Sequence, residues 1–215
     1  MTRELQEKLE SYQRVWAEVD LDAIWENMVH MKENIAENTK ILAVIKTDGY
    51  GHGGVPIAKM LEQLDFMFGY AAATYEEAHV LREAGVKKPI LILGYTFPYC
   101  YEELIREEIR PAVYRRDTVE ELAAAAAKVG KKAKVHIKVD TGMGRIGITP
   151  DEEGLEFVRF LIEHPELEVE GIFTHFACSD EANEDSDRFT LEQFRCYQKG
   201  VAELEKRGIH FSLHH

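Results

Sequence analysis

The segment Ile41-Leu-Ala-Val-Ile-Lys-Thr-Asp-Gly-Tyr-Gly-His-Gly-Gly54 joins an apolar run to a glycine-rich turn, and a helical pattern follows from Val55. Residues 41–45 are all apolar, which is typical of a strand buried on both faces. Lys46 ends this strand, where an amine is costly unless it is paired or covalently engaged. The glycines leave backbone N–H groups free to approach an anion at the start of the helix. A phosphorylated carbonyl ligand fits this chemistry, and a plain surface lysine before an ordinary glycine turn is the equal alternative.

The same strand-then-helix pattern repeats along the chain, and residues 41 to 209 span 168 positions over six intervals, or 28 per interval. A βαβ unit takes roughly 30 residues, so the repeat predicts a parallel sheet with no second domain inside this span. We expect a (β/α)8 TIM-type barrel with about seven strands present; an open, doubly wound sheet is the alternative. The predicted strands are 41–46, 66–73, 89–94, 110–114, 133–139, 167–175 and one from 209; the predicted helices are 55–63, 74–85, 99–107, 117–130, one from 149 and 188–207. The segments Thr74-Tyr-Glu-Glu77 and Thr149-Pro-Asp-Glu152 have capping-box spacing and are predicted to open their helices, and Gly130 is predicted to end another. Residues 178–187 are predicted to form a long acidic loop.

The two ends of the chain lie outside this repeat. Residues 1 to about 15 are expected to form a polar helix or arm, residues 16–20 a strand, and residues 23–36 a helix with Asp22 as its N-cap. We therefore divide the chain into a lead-in at 1–40 and a partial barrel at 41–215. A full barrel takes roughly 250 residues, so the sequence is interpreted as a fragment with two unpaired sheet edges that invite pairing with another chain. The terminal His214-His215 is either native or the remnant of a tag.

Composition narrows the class of protein. The chain has 215 residues, 45% hydrophobic and 30% charged, which is typical of a folded globular protein. Its net charge of −13 argues against a nucleic-acid partner. The sequence has no signal-peptide core and no apolar run that could span a bilayer, and its three widely spaced cysteines predict reduced thiols. These features predict a cytoplasmic protein without a membrane partner.

Chemically distinctive side chains stand at the ends of later strands. The alternation of residues 135–140 predicts that His136, Lys138 and Asp140 point into the barrel. A glycine-rich loop then presents Arg145, suited to hold a carboxylate or phenolate, and the sixth strand ends at His175. Each of these residues taken alone is more typical of a structural role. Because they stand at the ends of successive strands, where they would share one rim of the barrel, together they favour a ligand-binding or catalytic site. No convincing metal-ligand set is found, so no metal is predicted.

Three motifs at these positions resemble those of alanine racemases. They are Ala43-Val-Ile-Lys-Thr-Asp-Gly-Tyr-Gly-His-Gly53, His136-Ile-Lys-Val-Asp-Thr-Gly-Met-Gly-Arg-Ile-Gly147 and Gly171-Ile-Phe-Thr-His-Phe-Ala177. The segment Glu18-Val-Asp-Leu-Asp-Ala-Ile24 is similar to the family's opening, so the resemblance covers nearly the whole chain. The departure at Thr47-Asp-Gly49 leaves Lys46 and Tyr50 in place.

The resemblance implies a pyridoxal 5′-phosphate site. Lys46 would hold the cofactor as a Schiff base and serve as a catalytic base, and Tyr50 would bind its phosphate. Lys138 would be N6-carboxylated and orient Arg145, which would contact the substrate carboxylate and the cofactor's phenolic oxygen. His175 would sit beside the pyridine ring and support an arginine there.

Two apolar residues, Val44 and Leu93, would line the cofactor pocket on the same resemblance. It further implies that the parent enzyme interconverts L-alanine and D-alanine, supplies D-alanine for cell-wall synthesis and forms a homodimer. The family's opposite base comes from a C-terminal β domain of the partner subunit, and its ring-nitrogen arginine and a phosphate-binding serine lie later in the chain. Since this sequence lacks these parts, the chain alone is expected to be inactive or nearly so.

Three alternatives stay open. The first is a serine or broad-specificity amino-acid racemase of the same fold. The second is a non-catalytic pyridoxal-phosphate-binding barrel, although such proteins usually lack an arginine loop like 142–145. The third is a structural or interaction fragment whose exposed sheet edges drive oligomerisation.

Overall fold

The computed structural model of the chain describes residues 15–215. The arm predicted at the N-terminus therefore lies, up to residue 14, outside the described residues. The chain divides into two compact units, Met1–Thr39 and Lys40–His215, and each is described by itself.

The N-terminal unit contains one helix, α1 (Leu21–Glu33), among its described residues. Its N-cap is Asp20, whose carboxylate accepts the N–H of Ala23 at 3.0 Å, so the predicted cap at Asp22 is wrong. Asp22 lies instead in the first turn, where a negative charge is favoured by the helix dipole. The strand predicted for residues 16–20 is also wrong, because no ladder pairing is formed there and alternation alone does not make a strand.

The second unit alternates strands and helices throughout. The strands are β1 (Ile41–Val44), β2 (Met67–Ala72), β3 (Ile90–Ile92), β4 (Ile109–Val113), β5 (Ala133–Lys138), β6 (Leu167–Phe173) and β7 (Leu213–His214). The helices are α2 (Gly54–Leu61), α3 (Tyr75–Glu83), α4 (Tyr101–Arg106, preceded by a 3₁₀ turn at Pro98–Cys100), α5 (Arg116–Val129), α6 (Glu152–Ile162) and α7 (Glu184–Lys206). A short turn, Lys46–Tyr50, separates β1 from α2. No helix in the part of the chain that the structure describes is long and apolar enough to cross a membrane.

The seven strands form one parallel sheet in the order β1-β2-β3-β4-β5-β6-β7. A doubly wound sheet reverses its strand order at a switch point, whereas a barrel adds each strand beside the last. The sequential order therefore confirms the predicted incomplete (β/α)8 fold and excludes the open-sheet alternative.

Helix boundaries follow the predicted capping signals in most units. Thr74 caps α3 by accepting the N–H of Glu77 at 3.4 Å, and α5 ends at Gly130 with φ +73°. The predicted cap of α6 is wrong: Asp151, not Thr149, accepts the N–H of Gly154 at 3.1 Å. An aspartate two residues later offers a stronger acceptor, and the Thr149 hydroxyl donates to it at 2.7 Å.

The last helix and strand also differ from their predicted bounds. α7 starts at 184 rather than 188 because the side chain of Asn183 caps it, accepting the N–H of Ser186 at 3.0 Å. β7 begins at 213 rather than 209, so only two of the predicted strand residues pair with β6. Because α7 starts earlier, the acidic loop predicted at 178–187 is shorter than expected.

A small apolar cluster fills the concave side of the sheet. Leu91, Ala112 and Phe173 are buried there, with Leu42 and Leu93 packed against them. Above this cluster, at the carboxyl ends of the strands, the interior is open. That opening is the candidate site.

Candidate active site

A cavity of about 530 Å³ opens at the carboxyl ends of the strands. This is the edge at which (β/α) barrels carry their active sites, and the volume suits a small organic ligand. Its walls are Leu42, Val44, Lys46, Tyr50, Ala71, Ala73, Leu93, Gly94, Lys138, Arg145, Ile146, Phe173, Thr174, His175 and His215.

The structure brings all seven predicted site residues to this one cavity. They are Val44, Lys46, Tyr50, Leu93, Lys138, Arg145 and His175. Three of them carry cations, and no aspartate or glutamate side chain is among the residues that line the cavity. The cavity is thus cationic within a chain of net charge −13.

Lys46 follows β1 and leads into an unusual turn. Residues 47 to 51 all have positive φ, with Thr47 at +55°, Asp48 at +51° and Tyr50 at +56°. A left-handed conformation is unfavourable for residues other than glycine and is an outlier for a β-branched residue such as threonine. The turn returns the chain at once to α2, so that Tyr50 lies beside Lys46, whose Nζ is 5.7 Å from the phenol ring centre.

Two carboxylates hold this turn. Asp48 Oδ1 accepts the N–H of Gly54 at 2.7 Å, which fixes the start of α2. Glu77 accepts the N–H of Thr47 at 3.0 Å through Oε1 and the N–H of Ala73 at 2.9 Å through Oε2. The spacing of Glu77 three residues after Thr74 predicts a helix cap and carries no signal of this second role.

Lys138 lies at the end of β5 and is only 3% exposed. Its Nζ donates to the carbonyl of Val139 at 2.9 Å and lies 5.3 Å from the ring centre of Phe173. Burial is the main cause that lowers the pKa of Lys138 to about 8, and nearby Arg145 adds to it while Asp140 opposes it. With this lowered pKa, about one tenth of the amine is neutral at pH 7, far more than for an ordinary lysine.

Asp140 serves the loop after β5 rather than the interior, contrary to the prediction that it points into the barrel. Its carboxylate accepts the N–H groups of Gly142, Gly144 and Arg145 at 2.9, 3.0 and 3.1 Å. Burial alone would raise the pKa of Asp140, but these three hydrogen bonds hold that pKa below its ordinary value. The physical reason is that the loop turns back over the strand end and offers more donors than the interior does.

Arg145 stands on the loop that Asp140 fixes. Within residues 15–215 its guanidinium donates no hydrogen bond to a protein acceptor, while its backbone N–H is held. The side chain is exposed at the cavity mouth. The five guanidinium donors are therefore available to a ligand.

His175 follows β6 at the cavity rim. Burial first, and the neighbouring cations of the cavity second, lower its pKa, so the ring is neutral at pH 7. Its backbone carbonyl accepts a hydrogen bond at 3.3 Å from Gln193, whose Oε1 also accepts the N–H of Ala177 at 2.9 Å. Gln193 is a buried polar residue on α7 that the sequence analysis missed, because one glutamine in a polar helix carries no distinguishing pattern.

Below the cavity lies a second polar group, which we call the interior network: Arg110, Lys134, His136 and Glu170. The carboxylate of Glu170 accepts from Arg110 Nε at 3.0 Å, Lys134 Nζ at 3.2 Å and His136 Nε2 at 3.2 Å. The hydrogen bond from His136 is the main cause that holds the pKa of Glu170 far below its usual range.

The imidazole of His136 bridges the interior network to the cavity wall. Its Nδ1 lies 2.8 Å from Nε2 of His215, whose ring stacks on Phe173 with ring centres 4.8 Å apart. A side chain at position 171 would crowd this ring, since a Cβ there would lie 2.9 Å from His136 Nδ1, which explains Gly171. Sequence analysis predicted that His136 points inward and left the role of His215 undecided.

The arrangement fits an anionic aldehyde cofactor. Three cations without an acidic side chain among the lining residues match a ligand that carries phosphate and substrate carboxylate groups. A lysine amine at the cavity wall can bond a carbonyl carbon, and the left-handed turn sets a phenol beside it.

The sequence profile of the alanine racemase N-terminal domain matches residues 19–215. Alanine racemase 1 of Oceanobacillus iheyensis is 42% identical over 97% of this chain and 54% of its own length. An alanine racemase of Clostridium perfringens is 46% identical over 94% of this chain and 51% of its own length. The chain therefore spans about half the length of the curated relatives it matches.

Solved structures give the same result. The alanine racemase of Clostridium difficile in complex with cycloserine superposes with a TM-score of 0.89 at 36% identity, covering 95% of this chain and 52% of that one. A histidine racemase of Leuconostoc mesenteroides superposes with a TM-score of 0.79 at 26% identity, covering 92% of this chain and 51% of that one.

Proposed function

The chain belongs to the alanine racemase family, and from that premise we propose that it forms the pyridoxal-phosphate-binding part of an enzyme that interconverts L-alanine and D-alanine. The observation that carries this proposal is the single cavity in which a strand-end lysine, an arginine and a second lysine meet without an acidic side chain. The coverage of about half of each relative supports a division in which the chain supplies one part of the site.

Lys46 would hold the cofactor covalently through Nζ, and Tyr50 would donate to its phosphate. Val44 and Leu93 would form the apolar walls, which exclude water from the bound ring. When bound, the cofactor supplies the electron sink that acidifies the α-carbon of an amino acid. This chain's own contribution is to anchor and orient the cofactor.

Lys46 would also move the proton. With its Nζ free, Lys46 would accept the α-proton on one face of the substrate or return it there. Inversion needs a second base on the opposite face, which we assign to a tyrosine of a C-terminal β domain in the partner subunit of a homodimer. A cytoplasmic location and the use of D-alanine in cell-wall synthesis belong to the same proposal.

Arg145 would bind the substrate carboxylate in a two-pronged contact. Lys138 would orient it as a carbamate: the neutral amine adds to carbon dioxide, a C–N bond forms and one proton leaves to solvent. The lowered pKa of Lys138 supports this step because only the neutral amine reacts. The carbamate replaces a buried cation by an anion that pairs with Arg145.

His175 would act as a neutral hydrogen-bonding residue beside the pyridine ring. Its lowered pKa, caused first by burial and then by the neighbouring cations of the cavity, supports this assignment.

A second candidate is racemisation of a different amino acid. The similarity to a histidine racemase favours keeping it, because this fold accepts more than one side chain. Comparing alanine, serine and histidine as substrates separates the two candidates.

The test begins with cofactor attachment. The purified chain is mixed with pyridoxal 5′-phosphate, reduced with borohydride and digested for peptide mapping. We expect the adduct on Lys46 and its loss in Lys46→Ala, with Lys199→Ala, an exposed lysine on α7, as the matched control. Adducts spread over surface lysines would contradict the proposal.

Catalysis is then followed by NMR with L-alanine in deuterated water. We expect exchange of the α-proton that depends on Lys46, with little or no D-alanine formed by the chain alone. A non-catalytic cofactor carrier would give the Lys46 adduct without any exchange above Lys46→Ala.

A further inference from the structure

We propose that Glu77 is a positioning residue for Lys46: its carboxylate clamps the left-handed turn that follows the lysine. The proposal rests on the proposed function for the role of Lys46, but its geometry is independent of any ligand.

The clamp joins two strand ends. Thr47 comes directly after Lys46 at the end of β1, and Ala73 is the first residue after β2. Both backbone N–H groups lie beyond the sheet ladder, and one carboxylate accepts both, at 3.0 and 2.9 Å. Glu77 itself is fixed because it lies in the first turn of α3, where the helix dipole favours a negative charge.

The turn needs such a clamp because it is strained. Thr47, Asp48 and Tyr50 each hold a left-handed conformation, which is unfavourable for residues other than glycine. Within the turn, the N–H groups of Gly49 and Gly51 donate to the carbonyls of Ile45 and Thr47 at 2.9 and 3.0 Å, but these bonds leave the N–H of Thr47 unused. Among the described residues, Glu77 alone accepts the N–H of Thr47.

Losing the clamp would let Thr47 relax toward a right-handed or extended conformation. Because Thr47 is the neighbour of Lys46, its φ and ψ set the direction in which the chain leaves the lysine. Relaxation would therefore move Lys46 relative to Tyr50, and with it the amine relative to the rest of the cavity.

The alternative to a positioning role is that Glu77 only completes a capping box of α3. In such a box the glutamate side chain returns to the N–H of the N-cap residue, here Thr74. In the structure the Glu77 carboxylate accepts the N–H groups of Ala73 and Thr47 instead. A contact 30 residues away in the chain serves the turn, not the helix.

The experiment compares Glu77→Gln with Glu76→Gln, the exposed neighbour on the same helix whose partner is Tyr99. Glutamine keeps one acceptor oxygen but places an NH₂ group against the second N–H. In the cofactor-free chain, we expect amide exchange of Thr47 or Ala73 to speed up at least tenfold in Glu77→Gln. With pyridoxal 5′-phosphate, we expect the rate of borohydride-trapped adduct on Lys46 to fall about tenfold, and neither change in Glu76→Gln.

A rescue variant separates positioning from general stability. Glycine holds a left-handed conformation without strain, so Thr47→Gly in the Glu77→Gln background should restore most of the lost adduct rate. A structural cap role predicts no rescue. If Glu77→Gln fails to fold, Glu77→Asp, whose shorter carboxylate reaches one N–H at most, is used in the same comparison.

The proposal is overturned by unchanged Thr47 and Ala73 exchange in Glu77→Gln, or by a loss of adduct that Thr47→Gly leaves unrelieved. If the wild-type chain forms no adduct on Lys46, the proposed function fails, while the amide-exchange result still decides the role of Glu77.

Discussion

In the interior network the cations are paired with the carboxylate of Glu170, whereas at the cavity above it three cations meet without an acidic side chain in the wall. Glu170 accepts from Arg110, Lys134 and His136 within 3.2 Å. At the cavity, Lys138 has a single carbonyl partner, and the guanidinium of Arg145 has none among residues 15–215.

The difference distinguishes charges that stabilise the fold from charges kept for a ligand. A buried ion pair whose partners satisfy each other is costly to break from either side. A buried cation without a counter-charge lowers stability until an anion arrives or the cation is modified. Removing the carboxylate of the interior network should therefore lower stability, whereas removing the buried amine of Lys138 should raise it.

The largest effect is expected for Glu170→Ala. It leaves Arg110, whose side chain is 8% exposed, without its counter-charge, so the free energy of unfolding should fall by about 3–5 kcal/mol. The measurement is urea unfolding at pH 7, with Glu168→Ala as control, since that carboxylate is 49% exposed and lies 3.6 Å from Lys134. The free energy of unfolding of Glu168→Ala should fall by less than about 1 kcal/mol.

The same variant carries a pH signature. Because the pKa of Glu170 is depressed in the folded protein, its contribution is complete above the unfolded pKa of about 4 and is lost as the pH falls below it. The difference in the free energy of unfolding between wild type and Glu170→Ala should therefore become smaller as the pH falls below about 4. Equal losses of unfolding free energy in Glu170→Ala and Glu168→Ala would contradict the view that the buried pair at Glu170 stabilises the fold.

A smaller effect of opposite sign is expected for Lys138→Met. The folded pKa of Lys138 is lowered from 10.5 to about 8, so the unfolded chain binds more protons between these values and wild-type stability rises with pH across that window. Below pH 8 the full penalty, about 3 kcal/mol, is present, and methionine should remove most of it.

The measurement for Lys138→Met is thermal and urea unfolding from pH 7 to 10 in carbon-dioxide-free buffer, with Lys199→Met as the exposed control. We expect the advantage of Lys138→Met to shrink as the pH rises. A variant less stable than wild type at pH 7 would mean that the Lys138 amine already has the counter-charge that we infer it lacks.

The smallest effect on stability is expected for Arg145→Gln. Since the guanidinium is exposed and donates to no protein acceptor in the described chain, the free energy of unfolding should change by less than about 0.5 kcal/mol. Binding of propionate to the cofactor-loaded chain should weaken roughly tenfold, because a charged hydrogen bond is worth about 1.5–3 kcal/mol. Calorimetry for both quantities checks this, and a stability loss like that of Glu170→Ala would refute it.

The sequence predicted the repeat and the strand-end residues because both are local patterns. Apolar runs and glycine turns mark each unit, and the residue that ends a strand in a barrel necessarily faces the rim. Lys46, Lys138 and Arg145 were found in this way. The roles assigned to them stay predictions.

The missed residues act across the fold. Glu77, Gln193 and Glu170 are ordinary polar residues whose partners lie 30, 18 and 60 positions away. No spacing rule marks such contacts, since they depend on which elements the sheet brings together. The wrong helix caps at Asp22 and Thr149 have a different cause: in each case two capping residues stand two positions apart, and side-chain geometry decides which one caps the helix.

The strand order has a consequence for how the chain folds. Every hydrogen-bonded ladder joins sequence neighbours, so each strand can be added with a short closure of the chain. The cluster of Leu42, Leu91 and Phe173 instead joins β1 to β6 across the interior. The ladders can therefore form stepwise, while the floor of the cavity is completed only after β1 and β6 have been brought together, so we expect the site to form after the ladders.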